Sequence, residues 1–315
     1  MIREAAINEH KSKYEKWIFD TTLDYQEYSL SKGLGKRIRY LSEEPLLVVL
    51  GAGMSETTGP FYKEWEQYKE DVTSEDPESL TGFCDYFEYG GIEAIPKSGI
   101  EVIPNLVRMG KMPVFLVFNY NCHLELCLVL CDVGYESISY NGKNTFEVTR
   151  VGRPKCTIFK PHGSSRLIDR PTQIIWPDWP SKKGEPENRG QFELLNHKIR
   201  EKKIKNSAIL GYSGNWDPYM KKHMQRISEK CSMIQFGLPR NVARPPATTK
   251  WGILEKNGFI TDFDKGGTDF LYGLSKLNGL SRQCTTKQKS PLSTLSEKLE
   301  QIDIETTSLS IESTH

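Results

Sequence analysis

The sequence predicts an α/β protein built on a mostly parallel sheet with helices on both faces. Three observations carry this. Short apolar runs recur along the 315 residues, each the length of a strand buried on both faces. Helix-length segments separate most of these runs. Each run also ends in glycine or polar residues, and sheets of this kind bind their ligands outside the carboxyl ends of the strands.

Composition narrows the function classes. A formal net charge of +1 leaves no basic footprint for nucleic acid and no attraction to an anionic membrane. No apolar run is long enough to span a bilayer. The N-terminus, MIREAAINEHKSKYEKW, has no hydrophobic signal core, so a cytoplasmic protein is expected. The seven cysteines are odd in number, and several stand in apolar segments, which fits reduced, mostly buried thiols. Cys127 and Cys131 lie one helical turn apart, with Cys122 and His123 nearby. They could form half of a metal site, but the ligand set is short. A buried helix face is preferred, and no metal is expected.

In chain order, residues 1–44 read as an N-terminal helical cap, with Trp17, Ile18, Leu23, Tyr25 and Tyr28 as a packing face and a second helix from Leu34 to Leu41. The main domain, 45–283, starts with Leu46 to Leu50, a strand that runs directly into Gly51-Ala52-Gly53. These glycines fit a plain tight turn, or a backbone cradle for a phosphate at the start of a helix. Residues 60–104, roughly, read as a helical excursion from the sheet. Val114 to Phe118 is a second strand, ending in Asn119-Tyr120-Asn121. The segment CHLELCLVLCDVG is apolar nearly all round and reads as a buried helix. Asn141-Gly142, flanked by alternating residues, signals a hairpin.

Cys156 to Lys160 is a third strand, followed at once by Pro161-His162-Gly163-Ser164. A proline-rich loop leads to a helix in QFELLNHKIREKK. Ala208 to Leu210 ends in Gly211-Tyr212-Ser213, and Ser232 to Phe236 ends at Gly237. Asp217 is placed to cap the helix PYMKKHMQRISEK. ILEKNGFITDF holds a short strand and TDFLYGLSKL a closing helix. Residues 284–315, rich in Ser, Thr, Lys and Glu, read as a polar, flexible tail with room for a short helix over Leu295 to Ile302. Read alone, His162 is a loop anchor or a proton-transfer group, and Asn119 and Asn121 are helix caps or ligand contacts. Glu125 reads as a structural hydrogen-bonding group. Ser164 and Ser213 have no evident base, which argues against a serine nucleophile.

Four motifs stand at strand ends in this order: Gly-Ala-Gly-x-Ser from Gly51, Asn-Tyr-Asn-x-x-x-Glu from Asn119, Lys-Pro-His-Gly-Ser from Lys160, and Gly-Tyr-Ser-x-x-x-Asp from Gly211. Together they resemble the sirtuin-like domains, over roughly residues 45 to 275. The match is closer to the branch found in bacterial antiviral-defence proteins than to the classical deacetylases. The resemblance implies a Rossmann-like sheet that takes NAD as substrate. Gly51, Ala52, Gly53 and Ser55 would cradle the pyrophosphate. Asn119 would position water near the nicotinamide ribose, and His162 would act on the ribose hydroxyls. Asn121 would meet the carboxamide, and Gly211, Tyr212 and Ser213, with Gly237, would hold the adenosine half.

The chain departs from the family pattern in four places. Phe118 stands where a Thr is usual, and Asn121 where an Asp is usual. The Pro-Asp-Phe-Arg continuation is replaced by Gly59-Pro60-Phe61-Tyr62, and the four-cysteine zinc ribbon is absent. These weaken deacylation more than NAD binding.

The resulting expectation is an NAD glycohydrolase releasing nicotinamide and ADP-ribose, or a cyclic product, in antiviral defence. Such an activity would need control by self-assembly or by an activating protein partner. Cleavage passes through an oxocarbenium-like species, and its leaving group is already cationic, so no strong acid is required. An imidazole can take a proton near neutral pH. The alternatives are an NAD-dependent protein deacylase, or a catalytically silent NAD- or ADP-ribose-binding regulator.

Overall fold

A computed structural model describes residues 39, 41–51, 54–57, 94–96, 99–119, 122–142, 145–164, 189–212, 223–224, 226–227, 229–236, 260–262, 267–280 and 304–310. In chain order its strands are β1 (Leu46–Leu50), β2 (Ser55–Thr57), β3 (Ala94–Pro96), β4 (Val114–Val117), β5 (Tyr135–Tyr140), β6 (Thr145–Val151), β7 (Cys156–Lys160), β8 (Asn206–Leu210), β9 (Ser232–Phe236), β10 (Ile260–Asp262) and β11 (Ile304–Ser310). The α-helices are α1 (Ile103–Arg108), α2 (His123–Leu130), α3 (Arg189–Glu201) and α4 (Gly267–Leu277).

Nine strands form one sheet in the order β10-β9-β8-β1-β4-β7-β5-β6-β11. Every pair from β10 across to β5 is parallel, and β6 and β11 extend the far edge antiparallel. Taken as β7-β4-β1-β8-β9-β10, six parallel strands follow the Rossmann order 3-2-1-4-5-6. The chain leaves β1 toward β4 and β7, then returns to the other side of β1 to lay down β8. The order therefore reverses between β1 and β8, which opens a crevice at their carboxyl ends.

The alternation of residues along each strand builds two apolar layers. Leu46, Val48 and Leu50 of β1 pack on one face with Leu106 of α1, Leu124 and Leu128 of α2, and Phe270 and Leu274 of α4. Leu47 and Val49 face the other way, with Phe192, Leu195 and Ile199 of α3. Helices thus cover both faces, as the sequence predicts. α3 is amphipathic, with its three apolar anchors at helical spacing. All five residues of β1 are buried, as a strand covered on both faces requires.

Four details differ from the sequence expectations. The excursion over 60–104 contains β3, which pairs antiparallel with β2, Ser55 opposite Pro96, and a 3-10 turn over Ile100–Val102 before α1; residues 60–93, 97 and 98 lie outside the described residues. Within the expected tail, β11 pairs with β6 from Ile304 opposite Val151 to Ser310 opposite Thr145. IETTSLS has too little apolar content to read as a buried strand. An edge strand takes its hold from the backbone ladder, and its β-branched Ile and Thr suit that conformation. Asn141 and Gly142 do turn a hairpin, but Tyr140 pairs with Phe146, so the connection is longer than a two-residue turn. Cys122, Cys127, Cys156 and Cys231 are buried thiols outside any disulfide, whereas Cys131 is disulfide-bonded, against the expectation of reduced thiols throughout.

Most of the cap over 1–44 lies outside the described residues, as does the predicted helix over Leu295 to Ile302. No helix among the described residues is long and apolar enough to cross a membrane.

Candidate functional site

The carboxyl ends of β7, β4, β1 and β8 lie side by side, and the residues that follow them are joined in one chain of contacts. From β4, the Phe118 N–H donates to the Leu50 carbonyl at 2.9 Å, which continues the β1–β4 ladder past the end of β4. Asn119 follows, and its Nδ2 donates to the Gly51 carbonyl at 3.2 Å. That carbonyl can only accept, so the amide nitrogen of Asn119 faces Gly51. Its Oδ1 is then left in the role of acceptor, suited to a water or a hydroxyl.

From β7, the chain turns at Gly163, whose φ of 88° is a left-handed value that favours glycine. The turn brings His162 Nδ1 to 3.2 Å from the Phe118 carbonyl. Again the partner can only accept, so the hydrogen bond puts the proton on Nδ1. In the neutral ring the lone pair then lies on Nε2, the nitrogen able to take a proton. Asn119 and His162 are both half-buried, so each has protein on one side and access on the other.

On the far side of β1, the Gly51 N–H donates to the Leu210 carbonyl at 3.0 Å. A Cβ on Gly51 would stand 2.6 Å from both the Gly211 oxygen and the Tyr212 Cα. Glycine is therefore demanded here by the approach of the β8 loop. The Tyr212 ring stacks on Phe118, with centroids 4.1 Å apart and planes 13° from parallel. Phe118 in turn meets the His162 ring at 5.2 Å and 56°. Phe118 is thus the keystone: its N–H holds β1, its carbonyl holds His162, and its ring holds Tyr212.

Of the residues expected at the site, Gly51, Asn119, His162, Gly211 and Tyr212 come together here. Ser55 lies in β2, and its side chain is outside the described set. Ala52, Gly53, Asn121, Ser213 and Gly237 lie outside the described residues, as does Asp217. The structure refines the role of Gly51. Its N–H is engaged by Leu210, and the Met54 N–H donates back to the Gly51 carbonyl at 2.9 Å. A phosphate at this turn would therefore need the N–H groups of Ala52 and Gly53.

Burial pushes the Cys127 thiol well above its ordinary pKa, with the Glu101 carboxylate adding to the effect. Burial does the same to Cys156, with Glu125 adding. Neither is a thiolate at neutral pH, so neither is a nucleophile. Among the described residues, no group of three or more His, Cys, Asp or Glu side chains could hold a metal ion.

Sequence reasoning missed two features. Phe118 stood out only as a departure from a motif, because an aromatic residue ending a buried strand reads as core. The second is an ion pair behind the site, Lys160 Nζ 3.0 Å from Glu125 Oε1, with both side chains fully buried. A lone basic residue in CTIFK and a lone acidic residue in HLELCLVL could have signalled it, since buried charges are paired.

The strand order and crevice define an α/β protein of Rossmann-like type. No protein-family model matches the sequence, and no curated protein matches it. Among solved structures, the chain is similar to a Sir2 enzyme from work on the mechanism and regulation of Sir2 enzymes. The identity is 14% and the TM-score 0.47, over 79% of this chain and 100% of the other. It is also similar to Sir2Af2 bound to a myristoylated histone peptide, at 14% identity and a TM-score of 0.40, over 79% of this chain and 99% of the other.

Proposed function

We propose that the protein is an NAD glycohydrolase, cleaving NAD to nicotinamide and ADP-ribose or a cyclic form of it. The observation that carries the reading is the contact chain at the crevice. Asn119 and His162 are held by backbone carbonyls with their amide and imidazole orientations set, beside the point where a Rossmann-type strand order reverses. That crevice suits a dinucleotide. Its β8 side would take one half through the Gly211–Tyr212 loop, and its β4 and β7 sides would take the reacting ribose.

In this reading Asn119 Oδ1 accepts a hydrogen bond from the attacking water and aims it. His162 Nε2 takes a proton from that water or from a ribose hydroxyl, while its Nδ1–H stays on the Phe118 carbonyl. The nicotinamide leaves as a neutral ring, so the protein supplies orientation and a base and no strong acid. The order of the four motifs, which resembles the antiviral-defence branch of sirtuin-like domains, supports a role in depleting NAD in the cytoplasm during infection. An activity of that kind requires a trigger, either self-assembly or an activating protein.

The test is release of free nicotinamide from NAD by the full-length protein, beside His162→Ala and Asn119→Ala. Release by the wild type, lowered in each variant by about a hundredfold or more, is the expected result. Equal release by wild type and His162→Ala would sink the assignment of the base.

A further inference from the structure

Glu125 stands in the first turn of α2 and Lys160 ends β7. Their side chains are 0% exposed and 3.0 Å apart. A buried ion pair is a poor source of stability. Desolvating two ions offsets much of their attraction, and a packed apolar pair often does as well. What such a pair supplies here is a fixed distance between two elements.

The elements are those that carry the site. Asn119 begins the connection that leads into α2, and His162 follows Lys160 in the turn after β7. Two more buried contacts run the same way. Lys160 Nζ lies 3.6 Å from Cys122 Sγ, and Cys122 Sγ lies 3.5 Å from Ser164 Oγ. The turn carrying His162 is therefore tied at two levels: by Phe118 to the end of β4, and by Lys160 and Ser164 to the start of α2. The β4–β7 pairing, with Leu116 opposite Phe159, brings the strands that lead into these segments side by side. It does not by itself fix the loops beyond the ladder.

We infer that Glu125 and Lys160 are positioning residues, which set where the His162 imidazole stands relative to the Asn119 amide. The bearing on turnover rests on the glycohydrolase reading; the bearing on the ring does not. The pair touches no reacting atom. It acts by holding Nδ1 on the Phe118 carbonyl, which keeps the lone pair on Nε2.

The test uses the full-length protein labelled with ¹⁵N-histidine, with the His162 signals identified by their loss in His162→Gln. The informative variant is Glu125→Gln/Lys160→Met. It removes both charges at nearly constant volume and leaves no orphaned ion. In the wild type the His162 ring is expected as the Nδ1–H tautomer. In the folded double variant its nitrogens should shift toward a mixture of tautomers, while Tm stays within a few degrees. The kcat for nicotinamide release should fall about tenfold or more, with KM for NAD within about threefold, as expected of a misplaced group.

A folded double variant that keeps the wild-type tautomer overturns the inference. An unchanged kcat overturns its bearing on turnover. If the wild type releases no nicotinamide, the turnover arm gives no reading and the tautomer alone decides. If the double variant does not fold, Glu125→Asp takes its place with the same outcomes, since it keeps both charges and shortens the link by one methylene.

Discussion

The two sides of β1 are built by different means. Toward β4 and β7, the strand-end residues are joined by directed polar contacts: Asn119 to the Gly51 carbonyl, His162 to the Phe118 carbonyl, and Lys160 to Glu125 beneath. Toward β8, the joint beyond the ladder is made by shape, with Tyr212 in the space a Gly51 side chain would fill and its ring flat against Phe118. The difference matches what each side would do in the proposed reaction. A group that moves a proton must present one atom in one direction, which hydrogen bonds enforce. A loop that holds the rest of a long ligand needs a firm surface, which close packing provides.

Substitutions can break this contrast. The largest effect is expected for Phe118→Ala, because Phe118 belongs to both sides. It is 6% exposed, and deleting a buried aromatic ring costs about 3–5 kcal/mol. Urea unfolding should show that loss, with nicotinamide release falling as well. His162→Ala sharpens the contrast, since it removes chemistry from the polar side and leaves the packed side intact. Steady-state kinetics should show a loss of about a hundredfold, equivalent to about 2.7 kcal/mol of barrier, with the urea midpoint nearly unchanged. Gly51→Ala attacks the packed side. Its Cβ meets backbone atoms of the β8 loop at 2.6 Å, which cannot swing away as a side chain can. Overpacking of this kind costs about 1–3 kcal/mol, measurable by the same unfolding.

Smaller effects lie away from the crevice. Burial pushes the Cys231 thiol from 9.0 up to about 11, and its Sγ donates to the Ile204 carbonyl at 3.5 Å. Between those values the folded protein keeps a proton that the unfolded chain has lost. The stability this thiol contributes is therefore complete below pH 9 and is lost as pH rises toward 11. Urea midpoints across that window should fall less steeply for Cys231→Ala than for the wild type. Smallest is Lys205→Ala. Lys205 pairs with Glu44 at 2.6 Å, but its side chain is 70% exposed, so the loss should stay below about 1 kcal/mol.

Much of this architecture was legible in the sequence, and the limits have physical causes. The strands at the centre of the sheet were readable because burial on both faces leaves continuous apolar runs, such as LLVVL and VFLV. α3 and α4 were readable as helix-length segments between the runs. The strand-end rule pointed to Asn119, His162, Gly51 and Tyr212, which the fold does bring together. β11 was not legible, because a polar edge strand held by its backbone ladder looks like a tail. The part played by Phe118 was hidden because two of its three links are made by backbone atoms, which no side-chain pattern records. The Lys160–Glu125 pair is long-range in sequence. Each charge was visible in its apolar run, but their meeting depends on β7 lying beside β4.

The most direct measurement is NAD binding to full-length His162→Ala by isothermal titration calorimetry, where turnover is suppressed. Saturable binding of one NAD per chain, displaced by ADP-ribose, is the expected result, because the crevice between β1 and β8 does not depend on the imidazole. Absence of any saturable heat at millimolar NAD, with the protein shown to be folded, would contradict the assignment of this crevice as a dinucleotide site.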